Sequence, residues 1–223
     1  MTYLHRSDSD RILNITNGDC FNNYFISKFG GEAIPFCEVM MDGETISEIY
    51  SDDFVRIRSA EIGVSIEEYK SKMQVYDALS IDPNHYSELR LWFGKDTFCQ
   101  TNLLMLLAYL EQIDYKNSVT LNLIDDESFE ILEEKIKVSL GIYKKLYDEV
   151  LVSKNSVQVL GVLSKKAFDL YFDYRSREGK LARLVIDNPD KDEMQLVCLL
   201  IENSSEYGLS DIQARGLVKK YKV

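Results

Sequence analysis

Two rhythms of apolar and polar positions alternate along the first half of the chain. Short apolar runs of strand length occupy residues 11–16, 33–41, 88–93 and 118–124, and each stops at a turn or acidic cluster. Helical spacing fills the gaps. Residues 20–29 form one such stretch, closed by Gly30-Gly31. Ser65-x-x-Glu68 is a capping box that opens an acidic helix to about Leu79. Residues 97–111 are apolar nearly all round, which predicts a helix buried on every side. Strands spaced by helices of this length predict right-handed crossovers and an α/β fold: a mainly parallel, Rossmann-like sheet flanked by helices. Later the pattern changes. Residues 129–138 suit either an added strand or a helix, while 142–152, 157–174 and 193–202 read as amphipathic helices. Ser210-x-x-Gln213 is the capping box of a last helix. The division expected is an α/β domain over 1–125 and a mostly helical domain over 126–223.

Charge sharpens this division. The chain of 223 residues is 45% hydrophobic and 28% charged, ordinary for a globular protein. Its net charge of −11 falls almost wholly on residues 1–125, which carry −10 against −1 for the remainder. That acidity argues against nucleic acid or an anionic membrane as the main partner. The longest apolar run, residues 103–110, is far shorter than the ~20 residues that span a bilayer. No apolar leader opens the chain, and the four cysteines form no C-x-x-C pair. A soluble cytoplasmic protein with reduced thiols and no membrane contact is therefore expected.

Several reaction classes lack their motifs. There is no phosphate loop, G-x-G-x-x-G, H-E-x-x-H or G-x-S-x-G. Of two histidines, only His85, in a loop after Pro83, is placed to act as a base. What remains is convergence. Ligands of open parallel sheets bind beyond the carboxyl ends of the strands. Here those ends carry Asn17-Gly18-Asp19, Asp42-Gly43, Gly94-Lys95-Asp96 and Asp125-Asp126. The first and third lead into helices, whose free N–H groups suit a phosphate or carboxylate. The aspartates suit a divalent cation instead, a possible cofactor, although no metal-ligand set is written in the spacing. Each position also has a plain structural role: Asp19 as an N-cap, Asp42-Gly43 as a turn, Thr97-x-x-Gln100 as a capping box. Cys20 and Cys99 lie just inside helix N-termini, where a thiol pKa falls, but neither has a base partner in view.

Four ordered motifs carry a resemblance. Ile15-Thr-Asn-Gly-Asp19, Pro35-Phe-Cys-Glu-Val-Met-Met-Asp-Gly43, the segment 56–63 and Leu91-Trp-Phe-Gly-Lys-Asp-Thr-Phe-Cys-Gln100 resemble the bacterial domain-of-unknown-function 1835 family (DUF1835), across about residues 11–125. The resemblance implies a shared site at Asn17, Gly18 and Asp19, Glu38 and Gly43, Arg56 or Arg58, and Trp92, Asp96 and Gln100. The chain departs from the family in two places. It has Gly94-Lys95 where an acidic-then-His pair is usual, and Phe36-Cys37 in place of Trp-Arg. The tail ending in residues 208–213 resembles the family's helical companion.

These readings converge on a small-ligand site for a nucleotide or other phosphate compound at the carboxyl edge. Arg56, Arg58 or Lys95 would meet the anion, Asp19 and Asp96 a metal or polar group, and Gln100 would orient the ligand. Phosphoryl or nucleotidyl chemistry would suit such a site. The alternative is a regulatory or protein/DNA-interaction module. Residues 196–223 have helix-turn-helix proportions and end in Arg215, Lys219, Lys220 and Lys222. A third reading, partner binding, draws on the 14 tyrosines.

Overall fold

A computed structural model describes residues 11–158 and 160–222. The α/β half contains β1 (Ile12–Asn17), α1 (Gly18–Phe29), β2 (Ala33–Phe36), α2 (Asp52–Ile62), α3 (Ile66–Lys72), α4 (Gln74–Ser80), β3 (Glu88–Gly94), α5 (Thr97–Gln112), β4 (Ser118–Ile124) and β5 (Ile131–Lys137). The helical part follows with α6 (Tyr143–Tyr147), prolonged by a π-helical turn over Asp148–Val152, then α7 (Lys165–Arg175), α8 (Lys180–Ile186), α9 (Glu193–Glu202) and α10 (Asp211–Tyr221). The sheet order is β2-β1-β3-β4-β5, parallel except for β5, which runs antiparallel to β4. The expected α/β architecture is what the chain adopts. Among the described residues no helix is long and apolar enough to cross a membrane.

Register explains the layering. Leu13 pairs with Leu89, and Leu89 with Val119; Ile15 pairs with Leu91, and Leu91 with Leu121. Side chains alternate across a strand, so these residues share one face, and all are buried. On that face lies α5, sealed between the sheet and the helical part, which accounts for its lack of a polar side. The opposite face carries Asn14, Arg90, Trp92, Thr120 and Asn122, with Phe21 and Phe25 of α1 packed on Trp92 and Ile124. One hydrophobic core runs from Leu13 through to Val218, so both halves of the chain are built on the same interior.

The two edges are blunted differently. β2 has four residues, one of them Pro35, which has no N–H to offer. β5 carries Glu133, Glu134, Lys135 and Lys137, its register is irregular, and Lys135 has a φ of 56°.

Several elements differ from the expectations. The second strand stops at Phe36 rather than Met41, because the N–H of Met40 is taken by the Asn102 side chain at 3.0 Å instead of a ladder partner. The acidic helix breaks at Met73 into α3 and α4, and α2 and α8 form in segments without a clear helical stripe of apolar residues. Among the described residues of 157–174 the helix starts only at α7: Gly161 takes a positive φ and Ser164 caps the helix there. Residues 129–138 resolve as β5, so the sheet extends past residue 125.

A carboxylate fixes the passage between the halves. Glu111, in the last turn of α5, accepts four backbone N–H groups, from Gly141, Ile142, Tyr143 and Lys144, at 2.5–2.9 Å. An anion at the end of α5 opposes that helix's dipole but caps the start of α6.

Candidate functional site

The strand order reverses between β1 and β3, and a doubly wound sheet opens its ligand crevice beyond their carboxyl ends. β1 ends in Asn17. Its side chain does not cap α1 but reaches across the crevice. Nδ2 donates to the Cys99 sulfur at 2.8 Å, and Oδ1 accepts from Asn102 at 3.0 Å. Asn102 also donates to the Glu38 carbonyl at 2.6 Å, so Asn17 and Asn102 join the ends of β1 and β2 to α5. Gly18 opens α1. Exposed Asp19, in its first turn, accepts a weak thiol bond from Cys37 at 3.7 Å. Burial first, and then the Asp19 charge, push the Cys37 thiol up to about 12.

The charges beyond β2 are neutralised internally. Glu38 and Arg58 are both fully buried and meet at 3.5 Å. Arg58 also donates to the carbonyls of Asp42 at 2.9 Å, Glu44 at 3.1 Å and Val39 at 2.9 Å, while the Tyr69 hydroxyl donates to the other Glu38 oxygen. This clamp holds the loop after β2 and leaves neither charge accessible. Arg56, two residues away, faces solvent and pairs with Asp53 at 3.1 Å. Asp42, which the sequence presents as a turn residue, pins the helical part: it accepts from the Tyr174 hydroxyl and from Gln213 Nε2, each at 2.6 Å.

At the end of β3, Lys95 is exposed and Asp96 caps α5 by accepting from the Cys99 N–H at 2.8 Å. The next N–H groups of that helix are occupied as well. Thr97 donates to the Glu206 carbonyl and Phe98 to the Tyr207 carbonyl, both at 3.0 Å. The anion-binding end expected of α5 is therefore filled by the turn between α9 and α10. Gln100 joins the same junction: it donates to the Gly94 carbonyl at 2.7 Å and accepts from the Ser164 N–H at 3.0 Å.

What stays open is a carboxylate pair. Asp96, Cys99 and Asp126 place a carboxylate oxygen, a sulfur and a second carboxylate oxygen within 4.8 Å of one another. Asp126 stands in an exposed loop after β4, but its carboxylate turns inward and Oδ1 accepts from the Cys99 thiol at 3.2 Å. Two glycines make the room. A Cβ on Gly94 would fall 1.9 Å from Asp126 Oδ2, and one on Gly208, whose φ is 68°, would fall 2.2 Å from Asp96 Oδ1. Loss of water and the adjacent Asp96 carboxylate raise the Asp126 pKa well above the usual carboxylate range. Burial, with Asp96 and Asp126 beside it, raises that of Cys99 too, opposing the lowering that its place at a helix N-terminus would give. The pair opens on a cleft of about 510 Å³ whose walls include Lys95, Glu127, Lys166 and Glu206.

Of the residues singled out from the sequence, Lys95 and Asp96 line this cleft, Asn17 reaches the Cys99 sulfur of the cluster, and Gln100 is buried against Gly94 and Ser164. Gly18 and Asp19 lie across the crevice, and Glu38, Arg56 and Arg58 lie apart from it. Cys99 and Asp126 belong to the cluster but were not among the site residues, and three potential metal ligands meet where the spacing showed none. The signal available was Asp125-Asp126 at the end of β4. His85 lies before β3, at the opposite edge, where Arg11 contacts its ring. The start of α10 faces Asp42 through Gln213, and Arg215 pairs with Glu193 at 3.2 Å. Compared with family models, curated proteins and solved structures, the chain matches none.

Proposed function

We propose that the protein binds a small phosphate-bearing ligand together with a divalent cation, in the cleft beyond β3 and β4. The observation that carries this reading is the meeting of two carboxylates, Asp96 and Asp126, at the open carboxyl edge. Hard divalent cations take oxygen ligands of this kind and also coordinate substrate phosphates. Lys95 and Lys166 stand on the walls, where they would meet the anion. A bare phosphate is a poorer match: Arg58 is sequestered, Arg56 points away and the start of α5 is occupied. Any transfer chemistry here would rest on positioning and charge rather than on a nucleophilic thiol.

The test is a thermal-shift screen with magnesium or manganese, alone and with nucleotides or phosphosugars. A ligand at a hundredfold excess over its Kd adds about 2.7 kcal/mol. For a chain of this size that is a midpoint rise of roughly 5–10 °C. The rise should require the metal and vanish in Asp126→Asn. A rise that persists in that variant, or none across the panel, rejects the reading.

A further inference from the structure

A separate cavity lies elsewhere, between the end of α2 and α10. It measures about 740 Å³, and Ile62, Phe98, Leu209, Ile212 and Leu217 give it apolar walls. Its charged groups are mostly engaged. Asp42 accepts from Tyr174 and Gln213, and Glu44 pairs with Arg175 at 3.2 Å and Lys154 at 3.7 Å, which leaves Glu61 and Lys220 at the wall. On the other flank of α10 is a second cavity of about 580 Å³, where Arg215, Lys219 and Lys222 outnumber Glu193.

Gly216 lines both cavities and forms the ridge between them. It sits in mid-helix, where glycine is destabilising relative to alanine. Nothing in the fold requires it: its φ is ordinary, and a Cβ there would meet no atom within 4 Å. One turn earlier Ile212 is 77% exposed. A missing side chain at the ridge, an unburied isoleucine on one slope and a basic cluster on the other describe a passage across the helix.

From this we infer that the groove crossing α10 at Gly216 binds an amphiphilic anion, its apolar body in the larger cavity and its charged head among Arg215, Lys219 and Lys222. The local charge is opposite to that of the chain as a whole, so recognition rests on the head group's immediate neighbours. The groove is separate from the carboxylate cleft.

The fluorescence of 8-anilinonaphthalene-1-sulfonate, an anion with an apolar body, tests this, with decanoate as competitor. The intact protein should enhance the fluorescence, and decanoate should reverse it. Gly216→Leu should weaken both ligands by about tenfold or more without lowering the melting midpoint, since leucine is the better helix former. Lys219→Glu should weaken them and flatten the salt dependence, and Asp126→Asn should change nothing. Ile212→Asp, on the exposed slope, gives an independent loss if the leucine variant folds poorly. The inference is overturned if the protein does not enhance the fluorescence or decanoate fails to compete. Wild-type affinity in all three groove variants, or loss in Asp126→Asn, overturns it equally.

Discussion

Beyond β2 and beyond β4 the same sheet edge treats its acidic residues in opposite ways. Glu38 is met by Arg58, Tyr69 and a ring of backbone carbonyls around the guanidinium, and all of it is sealed. Asp126 is met by another carboxylate and a thiol, and the cleft above it is open. An acidic strand end is structural when the fold brings its counter-charge from within. Where the fold brings a like charge instead, the counter-charge must come from outside, as a proton or a cation.

The sharpest way to break this comparison is to remove the internal counter-charge. Arg58→Met should cost about 3–5 kcal/mol in chemical denaturation, because it leaves Glu38 buried and unpaired. Adding Glu38→Gln should return part of that loss. If the arginine variant is as stable as the parent, the clamp is not what holds the loop. Next in size is Gly208→Ala, which forces a side chain into a left-handed backbone and against Asp96. A loss of about 1–3 kcal/mol is expected, together with loss of any metal-dependent thermal shift.

Asp126→Asn should act in the other direction. The folded pKa of Asp126 lies above its unfolded value of about 3.9, so the native chain holds this proton more tightly. Stability from the group is complete at acid pH and declines as the pH rises through the folded pKa. With metal chelated, the asparagine variant should therefore gain on the parent as pH rises from about 4 towards alkaline. A constant difference between the two melting curves would contradict the pairing of Asp96 with Asp126. The smallest effect is kinetic. With its pKa pushed up to about 12, Cys37 should alkylate with iodoacetamide at pH 8 far more slowly than exposed Cys20 and Cys198, as read by mass spectrometry. Equal rates would mean that the burial of Cys37, with its contact to Asp19, is not kept in solution.

The core of the fold was legible because it depends on local pattern. The β1, β3 and β4 runs and the all-apolar α5 announce a buried parallel sheet and the helix trapped against it. Local pattern also explains the failures. In α2, Asp52-Asp53 and two arginines dilute the apolar stripe, and the helix is secured by the Ser51 cap and by Arg58 reaching back to the loop. The site was legible as a place but not as a set of roles. Asp96 and Gln100 stand out in the sequence, yet the carbonyls that fill the end of α5 come from Glu206 and Tyr207, more than a hundred residues later. Nothing near Arg58 foretells that it turns inward while Arg56 turns out.

The blunted edges have a consequence for how this protein can meet others. A short strand interrupted by Pro35 on one side and a charged, irregular strand on the other offer no continuous row of hydrogen-bonding groups to an incoming chain. Both edges disfavour pairing with a neighbour's strand, exchange of strands between copies and growth into a fibre. The surfaces left for contact with other molecules are side chains on helices and loops.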